Sequence, residues 1–119
     1  MTPRPRLLLV DDEVEILELL TMAFHDFEVE TAVNAASAAE LLRTKHFDAL
    51  ITDVRMPGGS GLTLIDHATT QHPGMPVFVM TGHHQEPVSD ARVAKWLLKP
   101  FSVTALRATV LDVLAGPIT

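Results

Sequence analysis

Apolar residues follow two different spacings along the chain, and each spacing predicts its own kind of element. Short continuous apolar runs, such as residues 7–10, suit strands that are buried on both faces, as strands of parallel sheets are. Longer stretches carry apolar residues at helical spacing with polar residues on the opposite side. In the first of these stretches, one stripe is formed by Ile16, Leu17, Leu20, Ala23 and Phe24.

The two spacings alternate from one end of the chain to the other. They predict strands at residues 7–10, 28–32, 49–52, 77–80 and 96–98, and helices at 13–25, 35–45, 62–71, 86–94 and 103–115. Asn34 and Ser102 are candidate N-caps of two helices, and residues 57–61, rich in glycine, predict a loop. This order indicates an α/β fold with a doubly wound five-stranded parallel sheet, forming one domain over residues 1–119.

Composition then narrows the class of protein. Of the 119 residues, 47% are hydrophobic and 20% are charged, which is typical of a globular domain and not of a disordered chain. Nine basic against fifteen acidic residues argue that this domain does not itself bind nucleic acid or an anionic membrane. No apolar run approaches the roughly 20 residues of a membrane span, and no signal peptide is recognisable. We therefore expect a cytoplasmic protein.

Polar residues follow four of the predicted strands. Asp11 and Asp12 follow the first strand, Asp53 the third, Thr81 the fourth and Lys99 the fifth. The carboxyl ends of parallel strands share one edge of a sheet, which is where doubly wound folds bind ligands. Carboxylates brought together there repel one another and lose solvation, and a hard divalent cation relieves both effects. An all-oxygen site with few protein ligands suits Mg²⁺.

This combination of side chains predicts phosphoryl transfer. A carboxylate beside Mg²⁺ can attack phosphorus, while a lysine and a hydroxyl stabilise the phosphoryl oxygens. The sequence contains no GxxxxGK[ST] loop and no recognisable Ser/His/Asp nucleophile pattern. Asp12 taken alone is equally well explained as a helix cap before Glu13.

With these residues in this order, the chain resembles the receiver domain of two-component response regulators, the CheY-like phosphoacceptor module. The resemblance covers essentially the whole chain and implies the flavodoxin-like strand order 2-1-3-4-5. Each matching segment is short, and the specificity lies in their order and strand context. The segments are residues 7–13 (LLLVDDE), 53–57 (DVRMP) with 61–62 (GL), 80–82 (MTG) and 99–101 (KPF).

The resemblance also implies roles for the strand-end carboxylates. Asp53 is then the phosphorylated aspartate. Asp11 and Asp12 bind Mg²⁺ together with Asp53 and with the backbone carbonyl of Arg55, two positions further on. The phosphoryl group comes from a sensor histidine kinase or a phosphotransfer protein, and an unknown output partner reads the result.

Three further roles follow from the same resemblance. Thr81 is the switch hydroxyl that moves onto the phosphoryl group, Lys99 pairs with that group, and the Lys99–Pro100 bond resembles one that is cis in this family. Trp96 stands where the family usually has a switch tyrosine or phenylalanine, and its indole is bulkier than either ring. Trp96 is therefore either the switch aromatic or a strand residue that anchors the sheet.

The segment between Thr81 and Lys99 is shorter than is usual in the family by about one helical turn. Residues 86–94 remain for a shortened fourth helix, with Pro87 in its first turn. We expect phosphorylation to change order in residues 82–94. Partner docking should then favour the first helix, where Leu19 and Met22 lie off the buried stripe.

Two other classes of function compete with a signalling switch. Phosphatases of the haloacid-dehalogenase type also pass through phosphoaspartate, but they need an aspartate where this chain has Arg55, and they generally carry a cap domain. An interaction domain without phosphorylation does not require the complete set of strand-end residues. The sequence favours a switch that is no ordinary enzyme but assists its own phosphorylation and dephosphorylation.

Overall fold

A computed structural model describes residues 4–53, 55–56, 59–81, 95–98 and 102–115. The strands in these ranges are β1 (Arg6–Val10), β2 (Glu28–Ala32), β3 (Ala49–Asp53), β4 (Arg55–Met56), β5 (Gly59–Ser60), β6 (Val77–Thr81) and β7 (Lys95–Leu98). The helices are α1 (Val14–Ala23), α2 (Ala35–Thr44), α3 (Gly61–Gln71) and α4 (Val103–Ala115). The predicted helix over residues 86–94 lies outside the described residues.

Five strands form one parallel sheet in the order β2-β1-β3-β6-β7. These are the five predicted strands, and the order confirms 2-1-3-4-5. The register places Val10 opposite both Ala32 and Thr52, and Thr52 opposite Val79. The carboxyl ends of β1, β3 and β6 therefore lie within about two residues of one another at the same edge of the sheet.

The expectation of loop over residues 57–61 is wrong for residues 59–61, while residues 57 and 58 lie outside the described residues. Arg55–Met56 pairs with Gly59–Ser60 in a two-stranded antiparallel sheet, and α3 begins at Gly61. A glycine-rich segment is as compatible with short paired strands as with a loop, so the local composition did not separate the two.

Apolar side chains bury both faces of the parallel sheet. On one face, Leu8, Val10 and Leu50 belong to a cluster with residues of α2 and α3. On the other face, Leu7 and Ile51 belong to a cluster with residues of α1 and α4. Burial on both faces is why β1 and β3 are continuous apolar runs and not alternating ones.

Charged side chains cover β2, which lies at one edge of this sheet. Glu28 lies 3.8 Å from Arg4 and 3.5 Å from Arg6, measured between guanidinium nitrogen and carboxylate oxygen. Lys45 Nζ lies 2.6 Å from Glu30 Oε1. The exposed edge of β2 is thus lined with ion pairs.

Within the described ranges, none of the helices combines the length and the apolar character needed to cross a membrane.

Candidate functional site

Three carboxylates meet where β1 runs into α1. One oxygen from each of Asp11, Asp12 and Glu13 lies within 4.8 Å of an oxygen of the other two. Asp11 is fully buried, whereas Asp12 and Glu13 are exposed. One buried and two exposed carboxylates are therefore close enough together to hold a metal ion.

Backbone hydrogen bonds hold this turn in place. The Asp11 N–H donates to the Ala32 carbonyl of β2 (3.1 Å), and the Glu13 N–H donates to Asp11 Oδ1 (2.9 Å). The N-cap of α1 is Glu13, whose side chain makes no capping hydrogen bond. The alternative that Asp12 caps the helix is therefore wrong, and Asp12 remains a candidate for the metal site.

Asp53 is the last residue of β3, and among the described residues its carboxylate is not part of the group of three at this turn. Its side chain is only 7% exposed, and its backbone is opposite Met80 of β6. The pairing of β1 with β3 ends at Val10 and Thr52, and Asp11 and Asp53 are the residues that follow these two in the chain. The structure thus brings the predicted strand-end carboxylates to one edge of the sheet.

The other predicted site residues are described to different extents. Arg55 opens β4, two positions after Asp53. Thr81 is the last residue of β6, opposite Leu98, and Trp96 lies within β7. Lys99 and Pro100, with the proposed cis bond, lie outside the described residues.

Sequence reasoning missed two residues at this edge. Glu13 contributes a third oxygen to the acidic turn, and its position next to the aspartate pair was the available signal. Thr52 is fully buried, and its hydroxyl donates a hydrogen bond to the Asp53 carbonyl (3.0 Å). The signal there was a single polar side chain at the end of an apolar strand.

The donor atoms fit a hard divalent cation. All are oxygens, and Asp11 and Asp53 are carboxylates with almost no access to solvent. An anion held in such a position costs free energy unless positive charge or hydrogen bonds compensate it. A cation on this edge would offset that cost, and few protein oxygens leave room for the waters that Mg²⁺ retains.

Comparison with known proteins gives a consistent result. Residues 7–111 match the family described as response regulator receiver domain. The chain is 35% identical over 113 residues to the response regulator protein PilR of Pseudomonas aeruginosa, covering 90% of this chain and 25% of that protein. It is 34% identical over 110 residues to the DNA-binding transcriptional regulator NtrC of Escherichia coli, covering 85% and 23%. The chain thus spans about a quarter of the length of these relatives.

A solved structure shares the fold over nearly its whole length. The chemotaxis response regulator CheY4 of Vibrio cholerae is 26% identical to this chain, with a TM-score of 0.81. The match covers 92% of this chain and 98% of that one. The similarity of fold therefore extends over nearly the whole of both chains.

Proposed function

The chain belongs to the response regulator receiver domain family, and we propose that Asp53 is the residue on which it accepts a phosphoryl group. Members of this family are phosphoacceptor switches of two-component signal transduction, not ordinary enzymes. The observation that carries the proposal is the position of Asp53 at the end of β3, level with Asp11 and nearly excluded from solvent. Residues 1–119 act here as one receiver domain.

The phosphoryl transfer is a displacement at phosphorus. A carboxylate oxygen of Asp53 attacks the phosphorus of a phosphohistidine on a sensor kinase or phosphotransfer protein, or of a small acyl phosphate. The bond from phosphorus to the donor nitrogen or oxygen breaks, and its electron pair stays with the imidazole or carboxylate that leaves. In the reset, water attacks the phosphorus, the bond from phosphorus to the Asp53 oxygen breaks, and inorganic phosphate leaves the restored Asp53 carboxylate.

The acidic turn supports a metal-dependent transfer. Asp11, Asp12 and Asp53 would hold Mg²⁺ together with the backbone carbonyl of Arg55. When bound, Mg²⁺ neutralises the anionic oxygens that an incoming phosphoryl donor brings to the site. The chain itself orients Asp11, because the Glu13 N–H holds one of its oxygens. By holding these groups, the domain assists its own phosphorylation and dephosphorylation.

The conformational response involves the two strands beyond β3. Met80 of β6 is opposite Asp53, and Thr81 is the next residue and the last of β6. This position supports the role of the Thr81 hydroxyl as the group that moves onto the phosphoryl group. Lys99 follows β7 and would pair its ammonium with a phosphoryl oxygen. Trp96 would either change position with Thr81 or stay fixed as an anchor of the sheet.

The signalling context follows from the phosphodonor. A histidine kinase or phosphotransfer protein delivers the phosphoryl group in the cytoplasm, and the switch is read by a partner protein or by an output domain. We expect no direct contact of this domain with nucleic acid or an anionic membrane, because its net charge is −6.

Intact mass after treatment with acetyl phosphate tests the assignment. We expect one phosphoryl group on the protein when Mg²⁺ is present and none after EDTA. Asp53→Asn should take up none, while Asp112→Asn, an exposed substitution on α4, should label like the wild type. Labelling of Asp53→Asn, or full labelling in EDTA, would refute the proposal.

A further inference from the structure

We propose that Thr52 is a positioning residue for the phosphorylation of Asp53, an inference that rests on the proposed function. Thr52 is fully buried, and its hydroxyl donates to the carbonyl oxygen of Asp53 at 3.0 Å. This bond fixes the peptide group that follows the reacting residue. Thr52 acts on the reaction through the backbone and not by touching the phosphoryl donor.

The surroundings of Thr52 do not call for a hydroxyl. In the register of the sheet, Thr52 lies between Val10 and Val79, which belong to the apolar cluster under α2 and α3. A valine would have the same branched shape and would not bring a polar group into this layer. Burying a hydroxyl costs free energy that its hydrogen bond must offset. The contribution of Thr52 therefore depends on what its bond to Asp53 does.

The bond reinforces the point where β3 leaves the sheet. On one side, the register of β1 with β3 runs as far as Val10 and Thr52. On the other side, Asp53 still pairs with Met80 of β6. The last residue of a strand is freer to move than the strand interior. The Thr52 hydroxyl restrains the carbonyl of that end residue.

Restraint of this peptide matters for the displacement at phosphorus. The attacking oxygen must lie about 3–3.5 Å from phosphorus and in line with the bond that breaks. The Asp53 carboxylate is carried by the same Cα that this peptide group joins, so holding the peptide group limits how far that Cα and its carboxylate can shift. Successive side chains of a strand point to opposite faces, which puts the Thr52 side chain across the sheet from that of Asp53. Its effect on the reaction is therefore indirect.

Four residues at position 52 separate the hydroxyl from the side-chain volume. Threonine and valine have nearly the same shape and differ by a methyl group in place of the hydroxyl, while alanine lacks the hydroxyl of serine altogether. If the hydroxyl positions Asp53, the labelling rate is high for threonine and Thr52→Ser and about five-fold lower for Thr52→Val and Thr52→Ala. Thermal stability should instead follow volume and be lower for Thr52→Ser and Thr52→Ala, because each leaves a small cavity.

The experiment measures the initial rate of labelling by acetyl phosphate at saturating Mg²⁺, and the unfolding midpoint, for all five proteins. Thr69→Val is the matched control, since the Thr69 hydroxyl makes a similar bond to the Ile65 carbonyl (2.9 Å) within α3. It should label at the wild-type rate. If wild-type protein takes up no phosphoryl group, the proposed function fails and the role of Thr52 falls with it.

With a labelled wild type, two results would overturn the role of Thr52 alone. The first is Thr52→Val labelling at the wild-type rate. The second is a rate that follows the unfolding midpoint across the series, with Thr52→Ser slower than Thr52→Val. The serine and alanine pair decides the question even if the valine variant does not fold.

Discussion

The guanidinium of Arg107 on α4 binds both carboxylate oxygens of Asp26, with N–O distances of 2.7 and 2.8 Å. The same guanidinium donates to the Ala23 carbonyl at the end of α1 (2.8 Å) and lies over the rings of Phe24 and Phe27. Those rings are 5.1 Å apart and meet edge to face. One side chain therefore fastens the last helix to the segment that follows the first.

Loss of the two parallel hydrogen bonds between Arg107 and Asp26 should lower the free energy of unfolding. Arg107→Lys keeps the charge, but an ammonium cannot bind two carboxylate oxygens side by side as a guanidinium does. We expect a loss of about 1 kcal/mol in urea unfolding, because the pair is partly exposed. Arg43→Lys, at an exposed ion pair with Glu40 within α2, is the control and should change stability by less than about 0.5 kcal/mol. Equal losses in both variants would contradict a special role for Arg107.

The ion pair of Arg107 with Asp26 should make the free energy of unfolding depend on pH. The hydrogen bond from Arg107 lowers the pKa of Asp26 to about 2, against about 3.9 in an unfolded chain. A carboxyl whose pKa is lower in the folded state adds stability above its unfolded pKa, and this is lost as the pH falls from about 4 towards 2. Asp26→Asn should therefore be less stable than the wild type at pH 7, with the difference shrinking below pH 4. A difference that stays constant from pH 7 to pH 2 would argue against this linkage.

Charge repulsion among the carboxylates of the acidic turn should make the thermal stability of the protein depend on Mg²⁺. Because Asp11, Asp12 and Glu13 converge, Asp12→Asn should raise the thermal unfolding midpoint when the metal is absent. In about 10 mM MgCl₂, binding of Mg²⁺ to the folded state should raise the thermal unfolding midpoint of the wild type. The midpoint of Asp12→Asn should rise much less. Asp112→Asn should respond to Mg²⁺ as the wild type does. An Asp12→Asn protein that gains as much from Mg²⁺ would remove Asp12 from the site.

The start of α2 offers a test of local helix stability. The Asn34 side chain accepts a hydrogen bond from the Ser37 N–H at 2.8 Å, as expected of an N-cap. Asn34→Ala should lower the free energy of unfolding by about 1 kcal/mol, while Asn34→Asp should retain most of it. Chemical unfolding of the three proteins measures this, and an unchanged alanine variant would mean that the cap contributes nothing.

Much of the fold could be predicted because its signals are local. The apolar run of β1 and the stripe of α1 repeat at the spacing of their own element, and α4 has the predicted bounds, Val103–Ala115. The convergence of Asp11 and Asp53 followed from one rule, that parallel strands share a carboxyl edge. These inferences needed no knowledge of which side chains pack together.

What the sequence did not reveal depends on tertiary contact or on small differences in local energy. Arg107 and Asp26 are 81 residues apart, and no periodicity links them. The bond from Thr52 to Asp53 depends on a rotamer chosen by the packing around β3. Glu13 rather than Asp12 became the helix cap because Asp11 already accepts a hydrogen bond from the Glu13 N–H, which fixes the turn one residue later.

The ion pairs along β2 should limit the association of this domain with its own copies at high protein concentration. The edge strand of a sheet exposes unpaired backbone groups on which another chain can add a strand and start aggregation. Here an approaching strand would have to displace Arg4 and Lys45 from Glu28 and Glu30 and bury those charges. The domain is therefore protected against edge-to-edge aggregation on the β2 side, and neutral residues at positions 28 and 30 would remove that protection while leaving the core intact.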